Sequence, residues 1–250
     1  FLAPDKYFDL YPFDKITYKT DRSNLWDFLP QSALSKRYEA FGFNFAKENH
    51  ALRKEYMQAY HACVSFIDAQ LGLVMDSLKK QGLWENTVIV FTSDHGYHLG
   101  DHFIWGKVTL FDIGAKVPFI VRAPGLSKPG TKSEAMIELI DIYPTLTDLA
   151  GLEAPNHLQG TSLRPLLGHP ERLGKKKYAY SVVTRGPKNL GYALRNQNWR
   201  YGKWPDGEEL YNLRSDPQEK NNLAQKEHFK DRLDVFRKAL TRQQELIQQN

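Results

Sequence analysis

Apolar side chains recur at intervals of three and four over residues 49–81, which predicts one long amphipathic helix. Gly82 follows directly and suits the position after a helix end, where left-handed backbone favours glycine. The single cysteine, Cys63, falls on the apolar face, so we expect a small core residue rather than a nucleophile. A polar amphipathic pattern over 225–249 predicts a terminal helix. Its expected apolar side consists of Phe229, Leu233, Phe236, Leu240 and Ile247.

Two short apolar runs predict strands. Residues 87–92 form a continuous β-branched and aromatic run, which suits a strand covered on both faces in a parallel α/β sheet. A second run covers residues 117–121 and ends at Ala-Pro-Gly. Residues 134–150 predict a strand end followed by a helix, because Pro144 suits a first helical turn and Gly151 suits a helix end.

The two ends of the chain differ in texture. Residues 1–35 are rich in proline, aspartate and aromatic side chains without clear periodicity, which predicts an irregular packed segment. Beyond a connection punctuated by glycine and proline, short runs separated by turn residues predict a small antiparallel sheet. The runs are 178–183, 192–195, 199–203 and 209–213. We therefore predict an α/β core over 1–170 and an antiparallel subdomain with a terminal helix over 171–250.

Composition narrows the class of protein. The 250 residues are 41% hydrophobic and contain no apolar run of about 18 or more, which excludes a hydrophobic membrane span. One cysteine excludes an intrachain disulfide framework and an all-cysteine zinc site. The net charge of +5 favours an anionic partner without choosing among nucleic acid, acidic glycan and phosphate.

Much of the basic charge lies in one block, residues 172–205, which has no acidic side chain. The block could form an electropositive surface for a polyanion, or a solvated sheet face balanced by acids elsewhere. No recognition motif supports nucleic acid, so we expect none. The basic residues are Arg172, Lys175, Lys176, Lys177, Arg185, Lys188, Arg195, Arg200 and Lys203.

Candidate chemistry begins where the first predicted strand ends, at Asp94, His95 and Gly96. In open α/β sheets, ligands bind outside the carboxyl ends of strands. Aspartate supplies a hard oxygen ligand, and glycine permits a sharp turn. The alternative is an ordinary turn that Asp94 caps.

The segment that follows is dense in ionisable side chains. His95, His98 and His102 fall within eight residues, together with Asp94 and Asp101. Such a cluster costs folding energy unless it is solvated, paired or bound to metal. The spacing is not that of the helical His-Glu-x-x-His zinc motif. The lysine at position 107 could hold an anion as a point charge, or could be an ordinary solvated lysine.

Residues 92–102 resemble the type I, formylglycine-dependent sulfatases, in the iduronate-2-sulfatase-like branch. Other segments agree in the expected order along nearly the whole chain, and they resemble the C-terminal portion of the family. These segments are 64–72, 105–112, 117–120, 138–146, 158–163 and 209–223. The resemblance implies an alkaline-phosphatase-like mixed sheet flanked by helices, then a small antiparallel subdomain. It also implies hydrolysis of a sulfate ester on a sulfated carbohydrate, with one bound Ca²⁺.

The resemblance assigns roles to individual residues. Asp94 and His95 match the metal-ligand pair, and Asp94 is the firmer match because calcium prefers oxygen ligands. His95 could instead touch the sulfate or the nucleophile. Lys107 matches a catalytic lysine that binds the substrate's sulfate.

The remaining matches concern catalysis and substrate. His102 matches a histidine close to the site and is expected to be catalytic and to bind substrate. Tyr97 and His98 are expected to contact the substrate. A nucleic acid partner and a membrane span are not expected.

The chain also departs from the family pattern. It lacks the Cys/Ser-x-Pro/Ala-x-Arg motif that yields formylglycine, and Cys63 precedes Val-Ser-Phe instead. The upstream acidic metal ligands are absent as well. We therefore expect a separate chain, the N-terminal portion of the same enzyme, to supply the formylglycine that attacks sulfur. The family implies a secreted, periplasmic or lysosomal location.

Two alternatives remain open at this point. One is a phosphoesterase or phosphonate hydrolase of the same superfamily. The other is a non-catalytic module that binds polyanions.

Overall fold

The computed structural model describes residues 1–18, 24–34, 39–40, 43–44, 49–187 and 189–248. Part of the predicted irregular segment 1–35, namely 19–23 and 35, lies outside the described residues, as does Lys188. The chain divides into two compact units. The first consists of Phe1–Ser23, Lys36–Thr87 and Tyr97–Lys107, and the second of Asn24–Ser35, Val88–Gly96 and Val108–Asn250. The boundary at residue 170 stays a prediction.

The helices and strands follow in chain order. The helices are α1 (Asp5–Phe8), α2 (His50–Lys80), α3 (Asp112–Ala115), α4 (Ile142–Leu149), α5 (Arg164–Gly168) and α6 (Lys230–Gln248). The strands are β1 (Glu39–Ala40), β2 (Phe43–Asn44), β3 (Ile89–Thr92), β4 (His98–Leu99), β5 (Trp105–Gly106), β6 (Phe119–Arg122), β7 (Ala179–Thr184), β8 (Leu190–Arg195), β9 (Trp199–Trp204) and β10 (Gly207–Asn212).

Helix α2 confirms the long helix of the first unit. The Asn49 side chain caps its start by accepting the Leu52 N–H at 3.0 Å. Gly82 ends it with φ +70°, and the Leu83 N–H donates to the Leu78 carbonyl at 2.9 Å. These bonds satisfy the last carbonyls of the helix in the way a glycine-terminated helix requires.

The predicted apolar face of α2 is only partly buried. Tyr56 is buried, whereas Val64, Ile67 and Val74 are each more than half exposed. Helix α1 packs along α2, where the Tyr7 ring lies 5.3 Å from Phe66, a residue outside that apolar face. The amphipathic pattern thus predicted the helix correctly, but three residues of its apolar face are left largely exposed.

In the second unit, β3 pairs with β6, which places Thr92 opposite Phe119. The pairing is antiparallel, and all residues of β3 are half-buried. The expected parallel strand, covered on both faces, is thus wrong within the described residues. A continuous apolar run specifies a strand but carries no information about its partner's direction.

The C-terminal part confirms the predicted antiparallel sheet, whose strand order is β10-β9-β8-β7. Helix α6 covers one face of this sheet and forms the main core of the unit with it. The buried core residues are Leu194, Tyr201, Leu210, Leu233, Phe236 and Leu240. Ile247, which was expected on the apolar side of α6, is 37% exposed because it lies in the last turn.

Helix α4 confirms the other predicted helix, with Pro144 in its first turn and Gly151 at φ +69° just past its end. Before it lies Asp141, whose carboxylate is fully buried. That carboxylate accepts the Thr161 N–H at 2.7 Å and the Lys176 ammonium at 2.7 Å. The buried charge is stable here because two backbone N–H groups and an ammonium group donate to it. No helix in the described part of the chain is long and apolar enough to cross a membrane.

Candidate functional site

Strand β3 delivers the first candidate group, in the second unit. The Ser93 hydroxyl donates to the His95 carbonyl at 2.8 Å and so tightens the turn at the strand end. This turn leaves the Asp94 side chain 84% exposed, with its Oδ2 atom 3.3 Å from His95 Nε2. The two side chains predicted as metal ligands therefore lie side by side.

The hydrogen bond on the other ring nitrogen fixes how His95 faces Asp94. His95 Nδ1 lies 2.8 Å from the Gly96 carbonyl, and because a carbonyl only accepts, Nδ1 carries a proton. In the neutral ring Nε2 then directs a lone pair at the Asp94 carboxylate. A cation shared between them, a proton on Nε2 or a metal ion, turns this repulsion into attraction. The donor set therefore fits a cation.

The turn can only be built with glycine at position 96. The Gly96 N–H donates to the Gly114 carbonyl at 2.9 Å. A Cβ atom at Gly96 would lie 2.0 Å from the backbone oxygen of Ile113, far inside contact distance. The backbone after Asp94 and His95 is thus pressed directly against α3.

The described residues supply only part of a metal site. Among them, no group of three or more His, Cys, Asp or Glu side chains is arranged to hold a metal ion. Calcium takes about six to eight oxygen ligands. Asp94 can provide one or two of these, so the remaining ligands must come from other groups.

The second candidate group lies in the first unit, on the hairpin of β4 and β5. His98 is fully buried, and its Nδ1 donates to the Asp101 carbonyl at 3.0 Å. Burial, with a smaller contribution from the His102 ring 5.8 Å away, lowers the pKa of His98 to about 4. His98 is therefore neutral at pH 7 and enclosed, and its predicted contact with substrate stays a prediction.

The backbone around His102 and Lys107 is strained. His102, Phe103 and Val108 all have positive φ, of 55°, 56° and 69°. Such values are uncommon without glycine, and for a β-branched residue they are genuine outliers. Each costs roughly 1–3 kcal/mol and is found most often at functional sites. Lys107 is exposed directly after β5, between two of these positions.

Tyr97 belongs to an aromatic cluster of the first unit. Its hydroxyl is hydrogen-bonded to that of Tyr56 on α2, and its ring lies 5.5 Å from Tyr60 and 5.8 Å from Phe1. Burial raises the pKa of both Tyr97 and Tyr56. The hydrogen bond with Tyr97 raises the pKa of Tyr56 further. Both phenols stay protonated, so Tyr97 can offer an apolar wall and a neutral hydroxyl.

Two protein families match this chain. Residues 7–152 match the family described as Sulfatase, and residues 100–246 match the one described as N-sulphoglucosamine sulphohydrolase, C-terminal. The chain belongs to the sulfatase family. The resemblance to that family and to its C-terminal portion is therefore confirmed.

A protein of Formosa agariphila named "Sulfatase" is 36% identical to this sulfatase chain over 95% of it. The match covers 46% of that protein, so the chain spans about half the length of this relative.

Two solved structures share the fold of this sulfatase chain. One, described as a complex with its substrate D-glucosamine-2-N,6-O-disulfate, has a TM-score of 0.76 at 30% identity and covers 81% of this chain and 44% of its own. The phosphonate monoester hydrolase from Silicibacter pomeroyi has a TM-score of 0.84 at 27% identity and covers 97% and 53%. The predicted alkaline-phosphatase-like α/β fold with an antiparallel C-terminal part is confirmed.

The basic block of this sulfatase chain is largely used inside the fold. Lys176 pairs with Glu138, Arg195 with Asp112 at 3.2 Å, and Arg200 with Glu219. Their acidic partners all lie outside residues 172–205. Lys203 lies 3.7 Å from Glu208, and Arg185 donates to the Ser32 carbonyl at 3.1 Å. Of the described basic residues, Arg172, Lys175, Lys177 and Lys203 remain exposed. These pairs favour the alternative of a sheet whose basic charge is balanced by acids elsewhere over a continuous electropositive surface.

Sequence reasoning missed two residues beside the predicted site in the first unit. Arg53 is 2% exposed, with its guanidinium 5.2 Å from the Phe103 ring. Tyr56 provides the partner of Tyr97. Both lie on one face of α2, three residues apart. An arginine placed among the apolar positions of a predicted helix, as Arg53 is beside Leu52 and Tyr56, is the signal that could have found them.

Proposed function

We propose that this chain forms part of an enzyme that hydrolyses a sulfate ester on a carbohydrate. In this proposal Asp94 and His95 contribute to a Ca²⁺ site and Lys107 binds the sulfate. The observation that carries it is the convergence of Asp94 and His95 at a strand end, with the two atoms 3.3 Å apart, in a sulfatase-family chain. A related structure described with D-glucosamine-2-N,6-O-disulfate points to sulfated amino sugars as the substrate class.

Each residue has a stated task in the proposal. Bound Ca²⁺ supplies positive charge that offsets the charge developing on the sulfate oxygens. Asp94 holds this ion with a carboxylate oxygen, and His95 orients that carboxylate or shares the ion. Lys107 places an ammonium group beside the sulfate. His102 holds or moves a proton near the leaving oxygen, and Tyr97 and His98 line the substrate side.

The rest of the site is proposed to come from other polypeptide. The chain covers 46% of a curated relative and contains no formylglycine motif. We propose that the N-terminal portion of the same enzyme, as a separate chain, brings the formylglycine nucleophile and the other metal ligands. The location proposed by family is secreted, periplasmic or lysosomal.

A second candidate is hydrolysis of a phosphonate monoester. It is favoured by the phosphonate monoester hydrolase that aligns with 97% of this chain at a TM-score of 0.84. The polyanion-binding module is weaker, because the basic side chains it requires are paired with carboxylates inside the fold.

Substrate comparison separates the two catalytic candidates. The complete protein is supplied with Ca²⁺ and assayed for sulfate released from D-glucosamine-2-N,6-O-disulfate and for phenol released from a phenyl phosphonate. A sulfatase gives the higher kcat/KM on the sulfated sugar. Faster turnover of the phosphonate would replace the first proposal with the second, and failure to hydrolyse either would reject both.

A further inference from the structure

A buried ion cluster in the C-terminal sheet reaches toward the candidate metal site. Glu219 is 2% exposed and has φ +54°, a conformation that a local turn imposes. The Asp216 carbonyl accepts its N–H at 3.1 Å, and the Asp216 carboxylate accepts the Asn221 N–H at 2.7 Å. The turn after β10 therefore holds Glu219 in a strained backbone conformation that directs its carboxylate into the interior.

Arg200 anchors the carboxylate of Glu219. Its Nε donates to Glu219 Oε1, and its Nη2 donates to Glu209 at 3.3 Å. The guanidinium lies between two aromatic rings, 4.9 Å from Phe111 and 4.6 Å from Tyr211. Charge-assisted hydrogen bonds and contacts with the ring faces together hold the guanidinium in place.

The other oxygen of Glu219 holds the start of α3. Glu219 Oε2 accepts the Asp112 N–H at 2.7 Å across 107 residues of sequence. The Asp112 carboxylate is held in turn by Arg195 at 3.2 Å. Both ends of Asp112 are thus fixed by the C-terminal sheet.

Helix α3 passes this constraint on to the strand end. The Gly114 carbonyl accepts the Gly96 N–H at 2.9 Å, and the Ile113 carbonyl fills the place of a Gly96 side chain. Gly96 is two residues from Asp94. A displacement of α3 must therefore move the turn that presents Asp94 and His95.

We propose that Glu219 is a positioning residue for the candidate metal site, because it fixes α3 and thereby the turn after Asp94. The catalytic relevance of this inference rests on the proposed function, since the position of this turn matters to catalysis only if Asp94 binds the metal. The Asp-Pro-x-Glu turn of the C-terminal part would thereby help to position the residues that follow strand β3.

The experiment measures hydrogen–deuterium exchange on the complete protein, without metal or substrate. In Glu219→Ala we expect the amides of Gly96 and Asp112 to exchange about tenfold faster, because the bond that orders α3 is lost. Amides of β8 such as Leu194 should keep their rates. Glu219→Gln, which retains an oxygen for the Asp112 N–H, should restore most of the Gly96 protection. Glu227→Ala removes a similar but exposed carboxylate and serves as the matched control.

Several outcomes would overturn the inference. Unchanged exchange at Gly96 in Glu219→Ala, or equal acceleration at Gly96 and Leu194, would show a structural role only. If Glu219→Ala does not fold, Glu219→Asp tests the same point, since its shorter side chain draws the carboxylate away from the Asp112 N–H. Unchanged Gly96 exchange there would also reject the proposal. These rates do not depend on turnover, so a failure to release sulfate counts against the proposed function and not against this inference.

Discussion

The stability of the second unit should depend on pH through Glu219. Burial and the nearby Asp112 carboxylate raise the pKa of Glu219 to about 7, because together they outweigh the attraction of Arg200. The folded protein therefore binds a proton at Glu219 more tightly than the unfolded chain, whose carboxyl has its ordinary pKa of 4.5.

The sign and size follow from this difference. Because the folded state holds the proton more strongly, stability is greatest below pH 4.5 and falls as the pH rises toward 7. Each tenfold difference in proton affinity is worth about 1.4 kcal/mol, so the contribution is about 3 kcal/mol. Glu219→Gln stays neutral and lacks this loss.

Urea unfolding of both proteins at several pH values between 4.5 and 8 isolates the contribution of Glu219. The free energy of unfolding of Glu219→Gln, taken relative to the wild type, should rise by up to about 3 kcal/mol across this range. Because both proteins contain the other titrating groups, such as His98, the contributions of those groups to the pH dependence cancel in the comparison. Parallel pH profiles for the two proteins would refute the reasoning, because they would mean that Glu219 titrates alike when folded and unfolded.

Two further predictions concern the candidate site. Gly96→Ala should destabilise the fold by roughly 1–3 kcal/mol in urea unfolding, because its Cβ meets the Ile113 carbonyl. Gly72→Ala, in the open middle of α2, should be neutral or stabilising by up to about 1 kcal/mol. Equal effects of the two substitutions would contradict the close approach at Gly96. For His98, the buried neutral ring with a pKa of about 4 predicts stability that is full above pH 6.5 and falls by up to about 3 kcal/mol toward pH 4. A His98→Gln variant that loses stability over the same range as the wild type would contradict this assignment.

Features determined by local sequence could be predicted. Helix α2 and the four-stranded sheet were placed correctly, because apolar periodicity, a capping glycine and turn residues act over a few positions. The antiparallel pairing of β3 with β6 could not be predicted, because an apolar run predicts a strand without indicating whether its partner runs parallel or antiparallel. The exposed face of α2 could not be predicted for a similar reason: periodicity identifies a face but not what covers it.

In the candidate site, too, contacts between neighbouring residues could be predicted and contacts between distant residues could not. Asp94 and His95 lie together because they are consecutive, and sequence alone indicated them. The partner of Tyr97 is 41 residues earlier in the chain, and the carboxylate that pairs with Arg195 is 83 residues earlier. Sequence shows the charge of a basic block but not the acids that fold against it. The pairing of these basic residues with distant acids therefore could not be predicted, although the residues themselves were identified correctly.

The most direct test of the account is the calcium dependence of sulfate release in a variant of Asp94. The complete protein, Asp94→Asn and the exposed control Asp76→Asn are titrated with Ca²⁺ while sulfate release from D-glucosamine-2-N,6-O-disulfate is measured. The account predicts that Asp76→Asn follows the wild type, while Asp94→Asn loses at least about tenfold in kcat/KM and needs more Ca²⁺ for half-maximal rate. Wild-type turnover and an unchanged calcium dependence in Asp94→Asn would contradict the account.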